Sequence, residues 1–332
     1  MIKTMTSRRS QVLSWIEDGS ISPDSIPKAL SVTGITPGPG RWRRFLDQLF
    51  LALGAVSLAC AVVFFFAYNW AELGRIARFG LVQFPMLAAV VLYWRLGTDS
   101  LSAKLSLLVA TLLLGATLAL YGQTYQTGAD PWQLFATWAL LMLPWALVGR
   151  MSAIWLLFLA LLNLSLYQYY ETFFGLLGIV FSTRDDLPWM LFALNTVAWV
   201  IWELAGRKFK WLTGIQNSRW AVRLIALASG FAITSLVLRA VFDPESPAAL
   251  TWLVYLAWLA ALYFVYRRKL PDLFMLAGAC LSLIICITSV FGELVLRNND
   301  AAGSLLFLSF LVIAQTAAVA FWLKRVNAEH SS

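Results

Sequence analysis

Histidine is almost absent from this chain of 332 residues; the single one, His330, lies in the last three positions. That shortage alone excludes a metal held by imidazoles and a His-based catalytic triad. Charge is scarce as well, at 13% of residues against about 25% in a soluble domain. Cysteine is limited to Cys60, Cys280 and Cys286, each inside an apolar run, so neither a disulfide framework nor a metal-ligand spacing is present. Phosphate-binding glycine loops and nucleophile elbows are missing too. No carboxylate stands alone at the centre of an apolar run, which weighs against a proton-driven or ion-driven pump. Residues 1–44 hold no apolar run, and the expectation is that no cleavable signal peptide is present.

What the chain does hold is apolar sequence in long blocks. Apolar residues make up 60% of it, with 16 Trp and a mean hydropathy of +0.74. A helix needs about 20 apolar residues to cross the hydrocarbon core, and the blocks have that length. Membrane barrels instead show short alternating segments, which this sequence lacks. The net charge of +8 is spread in short clusters between the blocks, not along one face, so nucleic acid is not an expected partner. The lipid bilayer is.

The expected fold is all-α, a polytopic bundle of ten spans at about 46–67, 78–95, 103–122, 131–148, 151–169, 187–206, 220–240, 247–266, 272–291 and 303–323. Pro85 and Pro144 predict kinks in the second and fourth spans. Phe173–Ser182 is apolar but too short to cross, and is expected to lie in the interface or to dip in and return. Ahead of the spans, residues 1–44 predict a short cytoplasmic helical hairpin. Its first helix covers about Ser7–Asp18 and is ended by Gly19. The second starts at Ser22-Pro23. The turn Thr36–Gly40 then breaks the chain, and Arg41, Arg43 and Arg44 anchor the first entry. The domain reading is therefore 1–44 leader and anchor, 45–325 transmembrane domain and 326–332 tail.

Basic residues orient this scheme. With the N-terminus inside, twenty of the 25 Lys and Arg fall on the cytoplasmic side; Arg75, Arg78, Arg184, Arg239 and Arg297 fall outside. Both termini are then cytoplasmic. Ten spans also divide five plus five, which permits an inverted repeat, although no motif recurs between the halves.

Two polar stretches emerge together on the outer side. One contains Tyr68, Asn69, Trp70, Glu72, Arg75 and Arg78; the other runs through Gln123, Tyr125, Gln126, Asp130 and Gln133. Glu72 is three residues before Arg75, so the two can pair on a helix. One reading is an outward pocket in which Arg75 and Arg78 take an anionic group and the amides and tyrosines orient it. The other is an aromatic belt of Tyr68, Trp70, Tyr125 and Trp132 with helix caps and local ion pairs. Within the spans, Asn163, Asn195 and Gln315 must each find a partner, as interhelical links or along a polar path. Glu203 precedes Arg207 by four residues, as Arg239 precedes Asp243, and both predict terminal ion pairs, with a proton-coupling carboxylate the alternative for Glu203. Small residues at helical spacing, Ala55/Ala59, Ala226/Gly230 and Gly278/Ser282, predict close packing inside the bundle.

At FFFAYNWAEL and YGQTYQTGADPWQLFATWALLMLP the sequence resembles a bacterial membrane-protein family catalogued as domain of unknown function 2157. Trp15, Gly19 and Ile21 are similar to that family's short leader, and the likeness covers roughly residues 10–150. The resemblance implies a bacterial cytoplasmic-membrane location and association with small membrane proteins encoded nearby. It brings no accepted activity and no catalytic residue; no metal or cofactor is expected from the residues themselves. The reading that follows is a non-enzymatic subunit or scaffold of an envelope membrane complex. The alternatives are a transporter or flippase for a lipid-linked or anionic molecule, and an envelope enzyme using Glu72 or Asp130 as acid or base.

Overall fold

The computed structural model describes residues 8–36, 38–69, 74–98, 100–174, 186–208, 219–243, 248–296 and 301–331, in places such as Tyr68 and Asn69 by backbone alone. Among them are twelve α-helices: α1 (Arg8–Glu17), α2 (Ile26–Val32), α3 (Pro39–Asn69), α4 (Arg75–Leu96), α5 (Leu101–Tyr125), α6 (Pro131–Gly149), α7 (Ser152–Phe174), α8 (Asp186–Lys208), α9 (Trp220–Phe242), α10 (Ala248–Phe264), α11 (Leu273–Leu296) and α12 (Ala301–Ser331). No strand occurs among the described residues. Nine of these helices are long and apolar enough to cross a membrane, α4 through α12. Each coincides with an expected span. The expected first span, 46–67, lies within the 31-residue α3. The all-α polytopic class is the observed one.

Surface composition says what solvent this bundle is built for. Phe84, Trp94, Phe231 and Phe321 are each at least 75% exposed, and dozens of other large apolar side chains are open. Patches on that scale are not found on soluble monomers and belong against lipid.

The chain divides into two compact units, residues 1–54 with 318–332, and residues 55–317. In the first unit, α1 ends at Gly19, whose φ of +69° reverses the chain as expected. Pro23 opens a single 3₁₀ turn before α2. The Pro-Gly turn is shorter than the sequence suggests, because Pro39 already starts α3, a favoured place for proline at a helix beginning. Arg41, expected as an anchor, turns back and donates to the Gly34 carbonyl at 2.7 Å. Gly34 has φ +73°, and a Cβ there would strike that guanidinium.

In the second unit, neighbours in sequence are mostly neighbours in space. Helix α4 packs on α5, α5 on α6, α6 on α7, α7 on α8 and α8 on α9, while α9 also takes α10 and α11. Helices α5 and α9 are the centres, with 44% and 56% of their apolar windows buried against 6–28% for the other spans. Helices α4 and α6 run on through Pro85 and Pro144.

Close approach of α5 and α6 depends on Gly115. The Trp138 ring lies where a Cβ would stand, and its Nε1 donates to the Thr111 carbonyl at 2.8 Å. Hydroxyls join the second centre to its neighbours: Thr196 to Ser229 at 2.8 Å (α8 to α9), and Thr234 to Ser282 at 2.7 Å (α9 to α11). The segment 175–185, with most of the short apolar run expected to be interfacial, lies outside the described residues.

Candidate functional site

The polar stretches predicted from sequence fall at the end of the second unit where α5 finishes and α4 and α6 begin. Arg75 is the first residue of α4, after Gly74 in extended conformation. One turn on, the Phe79 ring lies 6.1 Å from that of Tyr125, which in turn is 4.8 Å from Tyr121. The start of α4 and the end of α5 therefore touch, which brings the α4 part of the first stretch, from Arg75 on, to the second. Past Tyr125, Gln126 takes φ +45° and Gly128 φ +64°, and the Thr127 N–H closes onto the Gly122 carbonyl at 3.3 Å. That tight reversal delivers Asp130 to the N-cap of α6, where its carbonyl accepts from the Gln133 N–H at 3.0 Å.

Arg75, Gln123, Tyr125 and Gln126 are exposed at this end, and Arg78 and Asp130 are half-buried. Tyr68 and Asn69 close α3, described by backbone only; Trp70 and Glu72, and with Glu72 its pairing to Arg75, lie outside the described residues. Aromatic rings dominate the neighbouring surface: Trp132 meets Tyr169 edge-on at 5.3 Å and Phe173 at 6.3 Å. Two buried polar atoms here, the Thr124 hydroxyl and the Trp132 indole N–H, have no partner among the described residues.

The amides inside the spans are bonded helix to helix. Asn195 donates to Asn163 Oδ1 at 2.6 Å, and Asn163 donates to Asn195 Oδ1 at 3.2 Å. Each Nδ2 also reaches the carbonyl four residues back, Leu159 and Leu191, both at 2.8 Å. Both donors and the acceptor of each amide are thus used, which removes the desolvation penalty of a lone amide in hydrocarbon. Gln315 of α12 donates to Thr288 of α11 at 3.3 Å, while its buried Oε1 has no partner among the described residues.

Sequence reasoning missed the densest polar cluster. Asp272, with its side chain 1% exposed, accepts from Arg219 Nε at 2.7 Å and from Arg223 Nη2 at 3.0 Å. It also caps α11 by taking the Phe274 N–H at 3.1 Å. Arg219 reaches on to Glu203 at 2.7 Å, and the same Glu203 oxygen accepts from the Tyr266 hydroxyl at 2.7 Å. Tyr266 in turn accepts from Trp199 Nε1 at 2.9 Å, the two rings lying parallel. A π-helical turn, Val265–Lys269, carries Tyr266 at the end of α10. The partners found for Glu203 are thus Arg219 and Tyr266, across helices; the side chain of Arg207, its expected partner, lies outside the described residues. Burial works against the Arg219 charge, but Glu203 and Asp272 outweigh it and hold its pKa above the ordinary arginine value. The signal that could have revealed the cluster was Arg219 and Arg223 four apart on one face, with an aspartate just after Pro271 at a helix start.

Fold and polar architecture together define a polytopic α-helical membrane protein whose buried polar groups link helices. Within that class, residues 13–155 match the family described as predicted membrane protein DUF2157, in agreement with the resemblance carried by the two motif stretches. No curated protein and no solved structure matches the chain. The matched stretch contains the Arg75–Asp130 end; the Glu203–Asp272 cluster falls beyond it.

Proposed function

We propose that this protein is a non-enzymatic subunit or scaffold of a bacterial cytoplasmic-membrane complex. Both termini face the cytosol, and the Arg75–Asp130 end is the extracytoplasmic face that meets its companion. Asn163 and Asn195 carry this reading. They are closed on each other with every donor used, so they supply no polar path through the bundle. A transporter needs such a path. The family's description fixes membrane residence alone; the orientation rests on the charge alternation between spans. Exposed Arg75, Gln123, Tyr125 and Gln126 then offer a companion protein donors and acceptors at the rim of an aromatic belt.

The test is isolation from the native membrane in mild detergent, with and without Arg75→Ala and Glu72→Ala. The expected result is one companion membrane protein at constant stoichiometry, lost in the double variant while the fold persists. A lone chain from the native membrane, or a companion retained by the variant, overturns the reading.

A further inference from the structure

Ala226, Gly230, Gly278 and Ser282, whose spacing predicts close helix packing, do not close the space between α9 and α11. They line a cavity of about 210 Å³ bounded by α9, α10 and α11, with Trp199 of α8. A Cβ added at Gly278 would meet nothing within 4 Å. Its walls are apolar apart from a few groups. From Arg223 to Thr234 it follows α9 for eleven residues, about 16 Å at 1.5 Å per residue. Phe231 and Leu281 belong to its lining and are 77% and 56% exposed, so the cavity reaches the outer, lipid-facing surface.

The two ends differ. One is the charged cluster, where Arg223 lines the cavity while spending Nε and Nη2 on Asp272. Its other terminal nitrogen, Nη1, has no partner among the described residues, and an arginine has five N–H donors. Around it, Arg219 and Arg223 pair with Glu203 and Asp272, and the basic run Arg267, Arg268 and Lys269 follows Tyr266, which bonds Glu203. Further along, Trp258 lines the cavity at 8% exposure, and its indole N–H has no acceptor among the described residues. The far end is lined by Ile285 together with Thr234 and Ser282, whose hydroxyls are spent on each other at 2.7 Å.

We infer that this cavity holds one acyl chain of an anionic glycerophospholipid from the surrounding bilayer, with the phosphate at Arg223. Three observations favour that occupant: an apolar slot open to lipid, an arginine at one end with a donor left over from its ion pair, and Trp258 in the wall with an indole N–H that has no acceptor among the described residues. The last suits the ester carbonyl that such a lipid carries below its phosphate. Basic pockets between membrane helices are a recurrent anionic-lipid site.

The full chain is washed in detergent, supplied with phosphatidylglycerol or phosphatidylcholine of identical chains, and weighed by native mass spectrometry. One phosphatidylglycerol is expected to stay bound, and phosphatidylcholine to be lost. Gly278→Ala and Gly278→Leu fill the empty space in graded steps. Binding is expected to fall stepwise, by about ten-fold or more for Gly278→Leu, with helix content and melting temperature retained. Arg223→Gln removes the preference for phosphatidylglycerol, and millimolar inorganic phosphate does not displace the lipid. Equal retention of both lipids by the unaltered chain overturns the proposal. So does unchanged binding by both Gly278 variants, or displacement by phosphate alone.

Discussion

Asn163 on α7 and Asn195 on α8 exchange amide hydrogen bonds at 2.6 and 3.2 Å, and each holds its own helix's carbonyl at 2.8 Å. The arrangement is reciprocal, so neither amide can be removed without stranding the other. Replacing either by Leu is expected to cost about 1–3 kcal/mol, the penalty of a buried group left unpaired. The double variant should cost less than the two singles together. Thermal unfolding in detergent of the four proteins of this cycle measures the coupling, and strict additivity would show that the pair contributes nothing of its own.

Asp272 neutralises two arginines from a site almost closed to water. Asp272→Asn keeps the shape and deletes the charge. The expected loss is about 3 kcal/mol, the low end for breaking a buried ion pair, because both arginines keep some solvent contact. The cap of α11 should survive, because an asparagine oxygen accepts the Phe274 N–H as well as a carboxylate does. Chemical unfolding followed by circular dichroism reads the difference, and stability equal to the parent would mean the cluster is dispensable.

Gly115 sits beneath the Trp138 ring, with no room for a methyl group. Gly115→Ala is expected to destabilise by about 1–3 kcal/mol, the usual cost of overpacking, despite alanine's better helix propensity. Gly278→Ala, facing open space, should be neutral or mildly stabilising by the same propensity argument. A melting temperature that falls equally in both would contradict the packing described for these two glycines.

Orientation is checked by one labelling experiment. In a chain with Cys60, Cys280 and Cys286 replaced, a single cysteine at Ala129 occupies the exposed turn between α5 and α6. A membrane-impermeant thiol reagent should modify it on intact cells. Protection until the bilayer is broken would reverse the proposed topology and move the Arg75–Asp130 end to the cytosol.

Hydrophobic length and charge spacing are local properties, and what depends on them could be read along the chain. Ten apolar blocks, the turn at Gly19 and the meeting of the start of α4 with the end of α5 all follow from which residues are consecutive. Partner choice across helices is not local. Nothing near Asp272 in the sequence announces Arg223, 49 residues away, and Asn163 finds Asn195 at a distance of 32. Glu203 had a basic residue at the right helical spacing, yet its described partners, Arg219 and Tyr266, come from other turns of the bundle. The small residues make the same point in steric terms. Gly115 and Gly278 look alike in sequence, but one lies under an indole and the other faces a void. A helix shows where a side chain is missing; only the neighbouring helix decides whether that space is filled by protein or left open to the lipid.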